Sequence, residues 1–360
     1  MSATAEEREQ ARRALERAAA AGIRRIALPT PFQVGRVNVY LIDDDPLTLV
    51  DVGPNSGTAL EDLEEAFAAD RRTLEEVGLI VITHQHMDHF GLAAILARRS
   101  GAEVAALDVL APYLADFDAE AEREDEYAAA TMLRHGVPAD YATALRTVSA
   151  GYHSWGEPVQ VSMPLADGAE LRLRDRTLQV LRRPGHSPSD TVFLDAERRL
   201  LIAGDHLIKT ISSNALVTLP LAADPAETSP RQHLDGAPPP PRHLDGRAAP
   251  LLTYVDSLRR TRAMDVELVL PGHGPLFGDH AGLIAERLRM HTRRAEKIAG
   301  LLAQRPLTAH EIALELWGDV AVTQAYLTLS EVLGHVDLLL EQGRVREELD
   351  GEVVRFATAG

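Results

Sequence analysis

The feature that most constrains this chain is the run LIVITHQHMDHFG at residues 79–91, where an apolar segment leads directly into metal-capable side chains. The apolar part predicts a buried strand, and His84, His86, Asp88 and His89 follow it within six positions. Histidines two residues apart on an extended turn point to one side, so the first two can share a metal ion. The other two side chains follow as the chain turns into a helix, where they can reach a second ion. Imidazole and carboxylate ligands favour zinc, and they also suit iron or manganese.

Composition limits the kinds of site and partner that the chain can have. Cysteine is absent from the 360 residues, so a metal can be bound only by nitrogen and oxygen ligands. The formal net charge of −17 opposes binding a nucleic-acid backbone over a broad surface. No run approaches the roughly 18 apolar residues that a membrane-spanning helix needs. The charged, alanine-rich N-terminus lacks the apolar stretch of a secretory signal, and it predicts a surface helix of a cytoplasmic protein without membrane contact.

Apolar periodicity divides the chain into three regions. We expect an N-terminal helix at residues 1–22, a large α/β region at 23–290 and a small module at 291–360. In the large region, the alternating runs at 37–42 and 47–53 flank an acidic, proline-containing turn, which predicts a β-hairpin. Apolar runs and helical patterns then alternate along the chain, as is typical of an α/β fold.

Two insertions interrupt the large region. Residues 110–158 have helical periodicity and contain most of the tyrosines, and residues 210–250 form a polar, proline-rich loop. This loop contains two near copies of one sequence, PRQHLDGAPP and PPRHLDGRAAP. Four consecutive prolines (238–241) favour an extended conformation. We interpret the doubled HLDG as a replication slip that is tolerated at the surface.

The C-terminal module has the helix, helix and hairpin pattern of a winged helix. The hairpin is expected to turn at Asp350-Gly351. Residues 330–342, which cover the helix that would enter a DNA groove, contain acidic residues and no lysine or arginine. Since affinity for nucleic acid requires cations that neutralise phosphates, we interpret the module as a packing or dimerisation element, with a homodimer as one expectation.

Three further metal-capable residues follow apolar strands later in the chain. His186 lies in RRPGHSPSD, Asp205 in LLIAGDH and His273 in LVLPGHG. Together with HxHxDH at the end of a buried strand, this pattern resembles the metallo-β-lactamase fold superfamily, and in particular its glyoxalase-II-like and thioesterase-like hydrolases. The resemblance spans about residues 24–290 and implies a four-layer αββα sandwich with a helical insertion and a small winged-helix-like domain.

The resemblance also implies a dinuclear metal site, with two zinc ions as the expected cofactors. By this resemblance, the first ion would be bound by His84, His86 and His186, and the second by Asp88, His89 and His273. Asp205 would bridge the two ions. Asp88 and Asp205 are the expected catalytic residues, because a hydroxide held between the two ions would attack the substrate carbonyl. Metal coordination lowers the pKa of water from 15.7 to about 7, which makes this hydroxide available at neutral pH.

Five other residues are candidates for supporting or substrate-binding roles: Asp51, His206, Lys209, Tyr152 and Trp155. Asp51, in LVDVG, occupies the place where the family carries an aspartate that orients ligands, although a strand-ending turn explains an aspartate there equally well. Lys209 could bind an anionic group of a substrate, and a solvated loop lysine is the alternative. The two aromatic residues could form the wall of an acyl-binding pocket, or they could anchor the insertion to the core.

Three functions are compatible with this pattern. The first is hydrolysis of an ester-like carbonyl in a small molecule, most simply a hydroxyacyl or acyl thioester, or a lactone. The second is hydrolysis of a phosphodiester or RNA, as in endoribonucleases of the same fold with a winged-helix-like tail; the acidic composition weighs against it. The third is a binding module without activity, which an intact ligand set opposes. The absence of cysteine and of a GxSxG elbow favours a metal-activated nucleophile over one supplied by the protein.

Overall fold

The computed structural model describes residues 5–221 and 243–359. The described α-helices are α1 (Ala5–Ala20), α2 (Gly57–Ala69), α3 (Met87–Phe90), α4 (Ala93–Ser100), α5 (Ala111–Ala115), α6 (Phe117–Arg134), α7 (Ala139–Tyr152), α8 (Pro250–Arg262), α9 (His280–Leu302), α10 (Ala309–Trp317), α11 (Val320–Thr323) and α12 (Ala325–Glu341). None of these helices is both long enough and apolar enough to span a bilayer.

The strands form two large sheets and one hairpin. They are β1 (Ile23–Leu28), β2 (Val37–Ile42), β3 (Thr48–Val50), β4 (Leu79–Val81), β5 (Glu103–Leu107), β6 (Met163–Leu165), β7 (Glu170–Arg172), β8 (Thr177–Arg182), β9 (Thr191–Asp195), β10 (Leu200–Gly204), β11 (Leu268–Pro271), β12 (Val345–Asp350) and β13 (Val353–Thr358). The first sheet has the order β1-β2-β3-β4-β5-β6, and the second has the order β11-β10-β9-β8-β7.

The first sheet places the histidine-rich segment at the centre of the fold. Its strands β1 to β3 are antiparallel, whereas β3 to β6 run parallel to one another. β4 therefore lies between two parallel neighbours, and all three of its residues are buried. A strand buried on both faces is expected to be continuously apolar, as LIVIT is. The hairpin predicted from 37–42 and 47–53 is confirmed as β2-β3.

The second sheet is covered on both faces, which creates the layered architecture. Alternate residues such as Phe193 and Ile202 belong to the core shared with the first sheet. Their neighbours Val192 and Leu201 pack instead against apolar residues of α8 and α9. Because successive side chains of a strand point to opposite faces, this alternation places one sheet against the other and helices outside. The predicted α/β sandwich is therefore confirmed.

Two strands of the first sheet, β1 and β6, were not predicted from the sequence. β1 has the sequence IRRIAL, in which two half-buried arginines interrupt the apolar pattern. β6 contains only the three residues MPL, and its proline is compatible with its position at the sheet edge. Neither segment has the alternation that identifies a strand, so only pairing with a neighbouring strand reveals them.

The helices α5, α6 and α7 occupy the predicted insertion and contact the histidine-rich segment. The rings of Phe90, at the end of α3, and Phe117 lie 5.1 Å apart in an edge-to-face arrangement. The backbone N–H of Asn55 donates to the carbonyl oxygen of Trp155 over 2.8 Å. The carbonyl oxygen of Trp155 would lie only 2.3 Å from a β-carbon at Gly91. The glycine that closes LIVITHQHMDHFG is therefore required for this close approach.

The C-terminal residues form helices α10 to α12 followed by the β12-β13 hairpin. The hairpin turns at Asp350-Gly351, as expected, with Gly351 at a φ of 66°. The long helix α9 runs without interruption across the expected boundary at residue 290. The assignment of a winged helix, the domain limits and the homodimer stay predictions.

A buried polar network connects the second HLDG copy to the C-terminal helices. The guanidinium of Arg247 donates to both carboxylate oxygens of Asp337 on α12, over 2.7 and 2.5 Å. Asp245 accepts a hydrogen bond from the buried ring of His135, directly after α6, over 2.8 Å. His243 lies 3.2 Å from Glu347 on β12. The expected surface location of this copy is therefore wrong, because His243 and the adjacent Arg247 are buried with charged partners. Its origin by a replication slip stays a prediction. The first copy, with His233, and the four prolines lie outside the described residues.

Replacing Arg247 by methionine is expected to destabilise the fold by about 3–5 kcal/mol, because it leaves the buried carboxylate of Asp337 without a cation. Urea-induced unfolding monitored by circular dichroism would measure the change. The matched control is Arg259→Met, since Arg259 pairs with Asp256 at the surface and exposed ion pairs contribute at most about 1 kcal/mol. Equal losses in the two variants would show that the buried pair has no special role.

Candidate metal centre

The metal-capable side chains project from loops at the ends of strands in both sheets. His84 and His86 follow β4, and the short helix α3 carries Asp88 and His89. His186, Asp205 and His273 follow β8, β10 and β11 of the second sheet. Loops at strand ends can direct side chains into a cleft without disturbing the core. The structure brings all seven predicted ligands together at this edge.

The first group consists of three imidazoles. The Nε2 atom of His84 lies 3.0 Å from Nδ1 of His86, and Nε2 of His186 lies 2.9 Å from the same atom. Nitrogen ligands about 2.0–2.1 Å from a tetrahedral zinc ion lie about 3.3 Å apart. Both distances are close to this spacing, and ligand atoms of all three residues lie within 4.8 Å of one another, so the three imidazoles can hold one ion.

The second group contains a carboxylate and two imidazoles. Nε2 of His273 lies 3.3 Å from Oδ2 of Asp88, and Nε2 of His89 lies 3.9 Å from Oδ1 of the same carboxylate. The position of His273 depends on the first sheet. Val37 forms an isolated antiparallel bridge with it, and the N–H of Asn38 donates to the carbonyl oxygen of Gly272 over 2.6 Å.

Asp205 lies between the two groups. Its Oδ2 atom is 3.7 Å from Nε2 of His186 and 3.5 Å from Nε2 of His273. Its Oδ1 atom is 3.5 Å from Nε2 of His89. One carboxylate oxygen thus faces a member of each group. This placement is the one that the resemblance implies for a bridging ligand.

The hydrogen-bonding state of these groups fits bound cations. Three buried atoms at this place have no hydrogen-bond partner among the described residues: Nε2 of His89, Nε2 of His273 and Oδ1 of Asp205. Each buried polar atom without a hydrogen-bond partner costs about 1–3 kcal/mol of folding free energy. Three such atoms close together therefore indicate a binding partner that they share. Ligation by these atoms would provide one, and the donor set suits zinc.

Burial and neighbouring charges set the protonation of the ligands. Burial, with support from His186, lowers the pKa of His86 to about 3, and burial also holds the pKa of His84 well below its usual range. These imidazoles are therefore neutral, as metal ligands must be. Despite burial, the carboxylates of Asp205 and Asp51 raise the pKa of His89. The same negative field attracts a metal cation.

Each of four ligand imidazoles is oriented through its second ring nitrogen. Nδ1 of His89 lies 2.7 Å from Asp51 Oδ2, and Nδ1 of His84 lies 3.0 Å from Thr83 Oγ1. Nδ1 of His186 and His273 lie 2.9 and 3.0 Å from backbone carbonyl oxygens. An N–H that donates to oxygen at Nδ1 leaves the Nε2 lone pair free for a metal.

The contacts of Asp51 agree with a positioning role, which was one of its two interpretations and stays a prediction. Its carboxylate also accepts hydrogen bonds from the N–H and the hydroxyl of Thr83, each over 2.9 Å. Its φ of 57° is unusual for a residue other than glycine. The strained turn thus directs a fully bonded carboxylate at His89.

Replacing Asp51 by asparagine is expected to weaken metal binding about 10–100-fold, because oriented partners of ligand imidazoles contribute this much. Competition with a chromophoric chelator would measure the dissociation constants. Asp195→Asn is the matched control, since Asp195 is equally buried and lies at the opposite end of the second sheet. An unchanged affinity in the Asp51 variant would contradict the positioning role.

The remaining candidates make their observed contacts with residues other than the seven ligands. Nε2 of His206 lies 2.9 Å from the Thr261 hydroxyl, and its ring packs edge-to-face against Tyr254. The ring of Tyr152 packs against Phe32 at 5.4 Å. Lys209 lies in the loop after Asp205, where its carbonyl oxygen accepts a hydrogen bond from Arg287. Substrate-binding roles for Lys209, Tyr152 and Trp155 stay predictions.

Two residues that shape the centre, Asp190 and Gly272, were not predicted from the sequence. Asp190 accepts hydrogen bonds from the N–H and hydroxyl of Ser187 and thereby fixes the turn beside His186; burial raises its pKa to about 6. A β-carbon at Gly272 would lie 2.1 Å from Oδ1 of Asp205. Both residues lie beside predicted ligands in the sequence, in GHSPSD and PGHG. This proximity was the feature of the sequence from which they could have been identified.

Comparisons with known proteins agree with this geometry. The family model described as the Metallo-beta-lactamase superfamily matches residues 33–273. The probable metallo-hydrolase YqjP of Bacillus subtilis is 30% identical over 338 residues, which cover 92% of this chain and 97% of that protein. The human acyl-coenzyme A thioesterase MBLAC2 is 32% identical over 153 residues, or 42% of this chain and 47% of MBLAC2.

Two solved structures share the fold. A metallo-beta-lactamase family protein from Thermus thermophilus is 25% identical with a TM-score of 0.73, and the match covers 94% of this chain and 98% of that chain. A beta-lactamase domain protein from Burkholderia ambifaria is 26% identical with a TM-score of 0.75, and the match covers 94% and 92%. The sandwich thus has counterparts across nearly the whole length of known relatives, and the chain belongs to the metallo-β-lactamase superfamily of metallo-hydrolases.

Proposed function

We propose that this metallo-hydrolase cleaves acyl thioesters with two zinc ions bound by the seven residues described above. The observation that carries the proposal is the similarity of 153 residues to an acyl-coenzyme A thioesterase, MBLAC2, in a chain whose ligand groups are complete. The net charge of −17 supports a small-molecule substrate over RNA.

The seven ligands would form two metal-binding positions. His84, His86 and His186 would hold one ion, Asp88, His89 and His273 the other, and Asp205 would contact both. Ions bound at these positions would lower the pKa of a coordinated water to about 7 and would polarise a substrate carbonyl. Iron or manganese would fit the same nitrogen and oxygen ligands.

The carboxylates maintain the charge that this chemistry needs. Although burial opposes ionisation, His89 and His273 lower the pKa of Asp88, which therefore remains a carboxylate and an acceptor at neutral pH. His273 and His89 also hold the pKa of Asp205 well below its usual range. A thioester leaving group needs little help from a proton donor, because a thiol, with a pKa of about 8.5, leaves readily as thiolate.

A substrate panel with metal analysis tests the proposal. Protein purified without chelator is expected to contain two zinc ions per chain. It should hydrolyse octanoyl-coenzyme A and lactoyl-glutathione with a kcat/KM at least about 100-fold above that for a lactone, a labelled RNA oligomer or bis-p-nitrophenyl phosphate, a difference of roughly 2.7 kcal/mol in transition-state binding. Turnover of RNA or the phosphodiester without thioester cleavage would overturn the proposal, and so would the absence of stoichiometric metal.

A further inference from the structure

A second candidate site lies where α9 meets α10, outside the seven ligands. An open cavity of about 290 Å³ is lined there by Met290, Arg293, Arg294, Lys297, Leu316 and Trp317. The lining thus combines three cationic side chains with one large aromatic ring. In a chain with a net charge of −17 and only two lysines, this local excess of positive charge points to an anionic ligand.

One of the cations is fixed against the aromatic ring. The guanidinium carbon of Arg294 lies 5.6 Å from the centre of the Trp317 ring, within the range of a cation–π interaction. The same guanidinium is ion-paired with Glu331 on α12. Trp317 itself is half-buried. The cavity therefore has an aromatic wall that contacts a cation of the same chain.

The other two cations are available for a ligand. Arg293 and Lys297 are exposed, and neither has an ion-pair or hydrogen-bond partner within residues 5–221 and 243–359. The nearby acidic residue Glu296 is bound to Arg344 through two hydrogen bonds. Arg293 and Lys297 thus keep their charge available, and an arginine beside a lysine favours phosphate oxygens.

The helix α9 connects this cavity to the metal centre. Arg287, which lies two turns before Arg294 on the same helix face, donates to the carbonyl oxygens of Lys209 and Ile211. Those residues belong to the loop that follows Asp205. Seven residues of α-helix span about 10 Å, so the cavity lies a short distance along α9 from the loop beside the metal ligands.

We propose that this cavity binds the 3′-phosphorylated adenosine diphosphate part of coenzyme A. The adenine would pack on Trp317, and the phosphates would bind Arg293 and Lys297. The flexible pantetheine arm would then follow α9 toward the metal centre. This inference rests on the proposed thioester hydrolysis and names the carrier of the acyl group.

Tryptophan fluorescence tests the binding step without any need for turnover. The chain contains only two tryptophans, Trp155 and Trp317, so a Trp155→Phe background reports on the cavity alone. Coenzyme A and 3′,5′-adenosine diphosphate are expected to quench this emission with saturation, whereas pantetheine is expected to leave it unchanged. Equal responses to coenzyme A and pantetheine would overturn the proposal.

Charge reversal on α9 tests the phosphate contacts. The double variant R293E/K297E is expected to weaken binding of 3′,5′-adenosine diphosphate at least tenfold. The variant R289E, which reverses an exposed charge of the same helix outside the cavity, is expected to bind as the parent does. Equal affinities in both variants and the parent would overturn the proposal, and circular dichroism would verify that both remain folded.

Kinetics separate this inference from the proposed function. The same acyl group is presented on coenzyme A and on N-acetylcysteamine, and KM is measured for both thioesters. The ratio of KM for the N-acetylcysteamine thioester to KM for the coenzyme A thioester should be at least tenfold smaller in R293E/K297E than in the parent. An unchanged preference would contradict the cavity as the carrier site while leaving thioester hydrolysis in place. If neither thioester is hydrolysed, the proposed function fails, and the fluorescence titration still decides whether the cavity binds the nucleotide.

Discussion

Replacing Asp205 by asparagine is expected to lower the metal content below two ions per chain and to reduce kcat/KM more than about a thousandfold, which corresponds to about 4 kcal/mol of transition-state stabilisation. The carboxylate faces His89, His186 and His273 at once. An amide of the same shape removes the negative charge that both groups share. It also leaves the positive charge of bound ions with less compensation in a buried site.

Metal analysis after gel filtration, together with steady-state kinetics on a thioester, would measure both effects. The control Asp195→Asn makes the same chemical change at a buried aspartate that ends β9 and pairs with the first residue of β10, and it should retain both ions. Two tightly bound ions and normal turnover in the Asp205 variant would exclude a bridging role. Loss of metal in both variants would indicate a general folding defect instead.

Replacing Gly272 by alanine is expected to reduce kcat at least about 100-fold, although this residue offers no side chain to a ligand. Its β-carbon would lie 2.1 Å from Oδ1 of Asp205 and 2.7 Å from Cε1 of His89. Both ligands would therefore have to move by roughly an ångström. A displacement of this size in an active site costs on the order of 10²-fold in rate.

The matched control for this prediction is Gly300→Ala. Outside its own helical turns, no atom of residues 5–221 and 243–359 lies within 4 Å of a β-carbon placed at Gly300. Gly300 lies inside α9, where alanine is favoured over glycine by about 1 kcal/mol. That variant should be as active as the parent and slightly more stable. Full activity and metal content in the Gly272 variant would show that Asp205 and His89 can relax without loss.

The sequence was informative wherever chemistry and periodicity coincide. HxHxDH after LIVIT indicated both a buried strand and a metal site, and the later ligands each follow an apolar strand. Residues whose role depends on distant neighbours could not be found in this way. Asn38 and Gly272 are adjacent only because two sheets pack together, and β1 is a strand only because it pairs with β2.

The same limit applies to charged residues outside the site. Arg247 lies in a polar, proline-rich segment, and such composition is typical of exposed loops. Its burial follows from Asp337, ninety residues later, whose carboxylate provides a matched partner. The composition of the local segment does not predict the burial of Arg247, because a buried ion pair forms only when the fold brings both partners together.

The origin of the seven ligands in two separate sheets has a mechanical consequence. His84, His86, Asp88 and His89 extend from the first sheet, whereas His186, Asp205 and His273 extend from the second. A bound ion would fasten the two halves of the sandwich together, as a disulfide does in a protein that has cysteines. Stability would then rise with free zinc by mass action, by about 2.7 kcal/mol at a concentration 100 times the dissociation constant. The concentration of free zinc would thereby set both the stability of the folded chain and its catalytic activity.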